Sequence, residues 1–87
     1  MSFDFSNKIA LITGSGRGVG KVTALHLAKC GADVVINYLR KKSAAEETAA
    51  EIEALGRRVM LVRADISEAE DIDRLFAEIE TGFGGLD

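Results

Sequence analysis

The sequence predicts an α/β fold, a doubly wound parallel sheet in which strands and helices follow one another as β-α-β-α-β-α. Three short apolar runs alternate with three segments of helical periodicity along the 87 residues, and this alternation is typical of parallel strands joined by right-handed helical crossovers. The first run is continuously apolar rather than alternating, as expected of a strand covered on both faces. Residues 1–87 are therefore expected to form one unit or part of one.

The apolar runs predict strands over about residues 8–13, 33–38 and 58–63. The second run has a β-branched triplet, Val34–Ile36, at its centre, which strongly favours a strand. In the 3-2-1-4 order that is usual for doubly wound sheets, the first strand lies beside a fourth strand. The 87 residues contain no such strand, so we expect either part of a longer chain or a minimal nucleotide-binding half whose exposed edge, Ile9–Ile12, pairs with another chain. Such pairing would make the protein a homo-oligomer.

Helices are expected over about residues 18–30, 43–55 and 68–82. Helical spacing gives each of them one apolar stripe that faces the sheet. In the first helix this spacing turns Thr23 inward and Leu25 outward. Glycines that follow the helices are expected to end them as left-handed caps.

Serine and glutamate three residues apart mark the start of the second and third helices. Ser43 with Glu46, and Ser67 with Glu70, match the capping box, in which the serine side chain bonds a backbone N–H of the first turn. Each serine is therefore predicted to cap its helix.

Two of the predicted stripes reach the ends of their helices. In the second helix Leu55 continues the spacing of Ile52. In the third helix Phe76 lies beside Leu75 on the stripe, and Gly82 is the first of the glycines expected to break the helix.

The turn after the first strand carries four glycines on alternate residues, from Gly14 to Gly20. Together with Thr13 they match T-G-x-x-x-G-x-G, whereas neither G-x-G-x-x-G nor a Gly-Lys-Ser/Thr triplet is present. Glycines let backbone N–H groups approach an anion, and the free N–H groups at a helix start hold it. The pattern predicts a phosphate cradle made of Gly14, Ser15, Gly16, Arg17, Gly18, Val19 and Gly20.

With this fingerprint the whole chain resembles the short-chain dehydrogenase/reductase family, whose fold is of the Rossmann type. Within the family it looks most like the acyl-carrier-protein reductases of fatty-acid synthesis, 3-oxoacyl or enoyl. The segments that carry this narrower resemblance are Thr13–Lys21, Asn37-Tyr38-x-Arg40 and Phe83-Gly84-x-Leu86-Asp87.

The resemblance implies that residues 1–87 are the N-terminal dinucleotide-binding half of an NADPH-dependent enzyme. The parent would pass hydride to the carbonyl of a 3-oxoacyl thioester or, alternatively, to an enoyl thioester. A third alternative is an isolated nucleotide-binding module without catalysis. In similar reductases the catalytic serine, tyrosine and lysine lie beyond the position of Asp87, so no residue of this chain is predicted to be catalytic.

The end of the second strand predicts which nicotinamide cofactor is bound. Rossmann proteins that bind NAD usually carry an acid there for the ribose 2′-hydroxyl, and this chain has Tyr38 instead. Arg17 in the turn and Arg40 after the strand could grip a 2′-phosphate with their guanidinium groups. We therefore expect NADP(H), the alternative being a solvated basic loop.

Asp65 follows the third strand. In similar reductases this acid accepts a hydrogen bond from the adenine amino group, and the next residue, here Ile66, flanks the ring. The alternative is a capping or loop aspartate. Because Ser67 is expected to cap the third helix, the adenine role is favoured.

Several other functions are disfavoured by the sequence. A net charge of −3 argues against nucleic-acid binding, and no apolar run approaches the ~20 residues that span a bilayer. The single cysteine, Cys30, fits a reducing compartment, so a cytoplasmic location is expected. His26 has no second ligand at metal spacing. Tyr38 and Lys42 have the Y-x-x-x-K spacing of a catalytic pair, but a strand end is predicted there rather than the helical face that the pair needs.

Overall fold

The computed structural model describes residues 5–13 and 19–84. The strands are β1 (Ile9–Thr13), β2 (Asp33–Tyr38) and β3 (Val59–Arg63), and the helices are α1 (Val19–Lys29), α2 (Lys42–Ala54) and α3 (Ala69–Phe83). The predicted α/β class and the alternating order of elements are confirmed. Each strand and helix boundary lies within about one residue of its predicted position, which is ordinary scatter for element ends.

The three strands form one parallel sheet in the order β1-β2-β3. The register places Thr13 opposite Asn37, and Tyr38 opposite Arg63. The strands of a parallel sheet end at the same edge, so β1, β2 and β3 all end on one side of the sheet. Ligands of open α/β sheets bind at this carboxyl edge.

Strand β2 is the centre of the core because its side chains alternate between two covered faces. Val34 and Ile36 pack with α1 and α2 on one face, whereas Val35 packs with α3 on the other, and all three are fully buried. Their partners on α1 and α2 are small residues together with Ile52, and those on α3 are larger aliphatic residues. The buried partners are Ala24, Ala28, Ala45, Ala49 and Ile52 on the first face, and Leu75 and Ile79 on the second. This packing holds the carboxyl edge on a rigid frame.

Neither predicted capping box forms. Helix α2 begins one residue early, with Lys41 at the N-cap position and no side-chain cap, so Ser43 already lies inside the helix. Helix α3 begins at Ala69 with an extended Glu68 at the N-cap, again without a side-chain cap. Ser67 therefore precedes the capping position, and its hydroxyl is used in the loop instead.

Some predicted burial on α1 and α2 is also wrong. Leu25 packs against the core cluster that contains Val34, whereas Thr23 is exposed. Leu55 is 41% exposed because α2 ends at Ala54 and leaves it beyond the stripe, while Thr48 is fully buried.

The end of α3 differs from the prediction as well. Phe76 is 47% exposed, and Gly82 lies inside the helix rather than ending it. A Cβ added at Gly82 would meet the terminal methyl group of Met60, so a larger residue there would require the flexible Met60 side chain to shift. Gly84 ends the helix in the left-handed region at φ 80°.

Candidate functional site

The carboxyl edge of the sheet brings together the start of α1 and the segments that follow β2 and β3. Helix α1 begins at Val19, and Gly20 in its first turn is half-buried. Backbone N–H groups of a first helical turn have no partner within the helix, so they are available to an anion. The other predicted phosphate-binding residues, Gly14, Ser15, Gly16, Arg17 and Gly18, lie outside the described residues.

The end of β2 presents an aromatic residue and a cation. Tyr38 is half-buried and packs against the core cluster on the α1 and α2 face, while Arg40 is exposed. Tyr38 ends a strand and Lys42 begins α2, so the two do not share a helical face. The prediction that this Y-x-x-x-K spacing is not a catalytic pair is consistent with that geometry.

The loop after β3 holds the Asp65 carboxylate in a fixed orientation. Its Oδ1 accepts a hydrogen bond from the Ser67 hydroxyl at 2.6 Å and another from the Ser67 backbone N–H at 2.9 Å. These two bonds, the hydroxyl first, lower the pKa of Asp65, and the positive charge of Arg40 acts in the same direction. Asp65 is therefore ionised at neutral pH.

The hydrogen bonds of Asp65 correct one step of the sequence reasoning. Ser67 does not cap α3, and Asp65 acts as a loop aspartate, which is the alternative role. Both of these hydrogen bonds go to Oδ1. The second oxygen, Oδ2, accepts no hydrogen bond from residues 5–13 or 19–84. That oxygen leaves room for a ligand N–H donor, so the adenine role stays a prediction. Ile66 beside it is 50% exposed, as a residue that flanks a ring would be.

Two polar residues that the sequence analysis did not assign hold this loop. Asn37, only 3% exposed, donates from Nδ2 to the carbonyl oxygens of Ala64 at 3.0 Å and Val62 at 3.4 Å. The Oδ2 atom of Asp71 accepts the backbone N–H of Asp65 at 2.8 Å. A buried amide beside a β-branched run was a usable signal for Asn37. Asp71 is one of several acids at the start of α3 and carries no comparable signal.

An ion pair joins the first two helices on the outside of the sheet's covering layer. Lys21 on α1 and Glu51 on α2 form an ion pair at 2.9 Å, whose hydrogen bond and charge raise the pKa of Lys21. Within residues 5–13 and 19–84, no cluster of three or more His, Cys, Asp or Glu side chains could hold a metal ion. None of the helices in these segments is long and apolar enough to cross a bilayer.

The described structure is a Rossmann-like α/β unit whose carboxyl edge carries a helix start, an aromatic residue, a cation and an ionised aspartate. The sequence profile of the short chain dehydrogenase family matches residues 8–87. The chain therefore belongs to the short chain dehydrogenase family, an oxidoreductase family that uses NAD or NADP. The family membership expected from the glycine fingerprint is confirmed.

The relatives of the chain include reductases. It is 46% identical over 82 residues to the hydroxynaphthalene reductase-like protein Arp2 of Metarhizium robertsii, and the match covers 94% of this chain and 31% of Arp2. Among solved structures, the promiscuous reductase LugOII, described as catalysing keto-reduction at C1 during lugdunomycin biosynthesis, is 45% identical with a TM-score of 0.82. That match covers 90% of this chain and 31% of LugOII.

A short-chain dehydrogenase/reductase from Mycobacterium marinum confirms the fold with a TM-score of 0.90 at 34% identity. The match covers 98% of this chain and 34% of that protein. The chain thus spans about a third of the length of the relatives it matches.

Proposed function

We propose that this chain supplies the adenosine and phosphate half of an NADP(H) site, and that the whole protein reduces a carbonyl group. The observation that carries the cofactor proposal is the end of β2, where half-buried Tyr38 and exposed Arg40 stand in place of an acid. A carboxylate at this place would repel a 2′-phosphate, whereas a guanidinium can bind it with two hydrogen bonds. NADP(H) is therefore favoured over NAD(H).

The ionised Asp65 supports the same orientation of the nucleotide. Its carboxylate lies after β3, the strand next to β2, and is close enough to Arg40 for the two charges to interact. Asp65 would accept a hydrogen bond from the adenine amino group, and Arg40 would bind the 2′-phosphate. The two residues follow adjacent strands, which suits two groups carried by one adenosine. The N–H groups at the start of α1 would face the pyrophosphate.

The cofactor would supply the hydride, and the residues of this chain would bind and orient it. Arg40 would hold the 2′-phosphate and Asp65 the adenine, with Ile66 against the ring. Gly14, Ser15, Gly16, Arg17, Gly18, Val19 and Gly20 complete the proposed site, on the sequence pattern.

For the substrate we propose a ketone, with two candidate classes. The sequence resemblance points to acyl thioesters, either the 3-oxo group or, alternatively, the double bond of an enoyl thioester. The names of the relatives favour instead a ketone on an aromatic or polyketide framework, since they include a hydroxynaphthalene reductase-like protein and a keto-reductase. A cytoplasmic location completes the proposal, on the grounds of the single cysteine.

Turnover of NADPH separates these possibilities. The protein at its full natural length is incubated with NADPH and either acetoacetyl-coenzyme A, crotonyl-coenzyme A or 1-tetralone, and loss of the reduced nicotinamide absorbance is followed. Oxidation with either ketone supports a keto-reductase and identifies the substrate class. Oxidation of NADPH with crotonyl-coenzyme A alone would indicate an enoyl reductase instead of a keto-reductase. NADPH binding without oxidation by any substrate would indicate a nucleotide-binding module.

A further inference from the structure

The peptide group between Ala64 and Asp65 is held through both of its polar atoms. Its carbonyl oxygen accepts a hydrogen bond from Nδ2 of Asn37 at 3.0 Å, and its N–H donates to Oδ2 of Asp71 at 2.8 Å. Asn37 lies on β2, and Asp71 lies in the first turn of α3. One peptide group thus joins the central strand, the loop after β3 and the following helix.

We infer that Asn37 and Asp71 are positioning residues for the adenosine half of the cofactor site, an inference that rests on the proposed function. Adenine and the 2′-phosphate belong to one nucleoside, so the groups that bind them must stay at a fixed separation. The clamped peptide fixes Asp65 relative to the Tyr38–Arg40 end of β2. A site held in its binding geometry before the ligand arrives loses less free energy to ordering.

The surroundings of Asn37 favour this role. A buried amide is costly unless it is hydrogen-bonded, and Asn37 is 3% exposed directly after three fully buried apolar residues. Its Nδ2 reaches across to the end of β3, where it bonds the carbonyls of Ala64 and Val62. The backbone adds one bond at the same place, from Ala64 N–H to Tyr38 O at 3.0 Å. The two strand ends are therefore joined by side-chain and backbone bonds at the site itself.

The opposite end of the same two strands carries a second clamp and so provides a control. Asp33, at the start of β2, accepts the Arg58 backbone N–H through Oδ1 at 2.9 Å and the Arg58 Nε–H through Oδ2 at 2.9 Å. This clamp joins β2 to the residue before β3 at the amino edge, away from the proposed ligand. Its loss should weaken the strand pair without moving the adenosine site.

The test compares two ligands on purified variants of the protein at its full natural length. Adenosine 2′,5′-bisphosphate carries adenine and the 2′-phosphate, whereas reduced nicotinamide mononucleotide lacks both. The variants are Asn37→Ala, Asp71→Ala and Asp71→Asn, with Asp33→Ala as the control. Both Asp71 variants lose the charge that faces Arg74 at 3.8 Å, but only Asp71→Asn keeps an oxygen that can accept the Asp65 N–H.

Dissociation constants are measured by calorimetry and corrected for the folded fraction at the same temperature. Asn37→Ala and Asp71→Ala are each expected to weaken the binding of adenosine 2′,5′-bisphosphate about tenfold. This is the free energy of one hydrogen bond, the proposed bond from the adenine amino group to a no longer positioned Asp65. Binding of reduced nicotinamide mononucleotide should be unchanged. Asp71→Asn should restore most of the affinity, and Asp33→Ala should lower the Tm without changing either dissociation constant.

Three results would overturn the inference. In the first, the variants bind adenosine 2′,5′-bisphosphate as the wild type does. In the second, Asn37→Ala and Asp71→Ala weaken adenosine 2′,5′-bisphosphate and reduced nicotinamide mononucleotide by the same factor. In the third, Asp71→Asn is as weak as Asp71→Ala, which would make the charge rather than the acceptor responsible. Should Asn37→Ala fail to fold, the two Asp71 variants decide. A wild type that binds neither ligand would instead refute the proposed function, together with the inference built on it.

Discussion

Replacing Arg40 with alanine is expected to reduce the preference for NADPH over NADH about tenfold. A hydrogen bond to a charged group contributes about 1.5–3 kcal/mol, and about 1.4 kcal/mol is worth a factor of ten in affinity. Arg40 is exposed, so solvent and salt screen its charge and the effect should lie near the low end of that range. Arg17, predicted to share the phosphate, would retain part of the affinity.

The ratio of the two affinities isolates the phosphate contact. Arg40 also lowers the pKa of Asp65 through its charge, but adenine is common to NADPH and NADH, so any effect through Asp65 cancels in the ratio. Both cofactors are titrated by fluorescence at low and at high ionic strength, and the loss should be larger at low ionic strength. Lys29→Ala, which removes an exposed cation at the far end of α1, should leave the ratio unchanged. An unchanged ratio in Arg40→Ala, or an equal loss for both cofactors, would refute the assignment of Arg40 to the 2′-phosphate.

Three further predictions concern the frame and the loop. Ile36→Ala should lower the free energy of unfolding in urea by about 2–5 kcal/mol and Ile36→Val by about 0.5–1.5 kcal/mol, because Ile36 is fully buried; equal costs would contradict the packing described. Ser67→Ala should raise the pKa of Asp65, measured by carboxyl NMR, and destabilise the protein at neutral pH. Since the folded pKa is lowered, that stabilisation is present above the unfolded pKa and is lost as the pH falls through the folded value, so wild type and variant should converge in acid. Glu51→Gln should return the pKa of Lys21 toward its ordinary value, with a stability change that vanishes at high salt.

The fold could be predicted almost completely because it depends on patterns that span many residues. The β-branched centre of β2 and the alternation of apolar runs with segments of helical periodicity decide the element types. The parallel order of the strands follows from the right-handed helical crossovers that join them. The helix starts could not be predicted from capping pairs. Backbone geometry placed the α2 start one residue before Ser43, and Asp65 took the hydroxyl of Ser67. The Ser67 outcome depends on a competing local hydrogen bond that a short motif does not contain.

The site could be predicted in part, and the reason differs from residue to residue. Tyr38 ends β2, and Arg40 and Asp65 follow β2 and β3, so their common edge follows from topology alone. Asn37 and Asp71 act on a peptide group in another element. Asn37 lies 27 positions from its partner Ala64, and their contact depends on the register of β2 and β3. Asp71 lies 6 positions from its partner Asp65, and that contact depends on where α3 begins. An error of one residue in either quantity would move these contacts to different residues.

Direct titration of the wild-type protein with NADPH and NADH tests the central claim that its carboxyl edge is an NADP(H) site. The account predicts that both cofactors bind and that NADPH binds at least about tenfold more tightly, the contribution of one charge-assisted phosphate contact. Equal affinities, tighter binding of NADH, or no binding of either cofactor would contradict it.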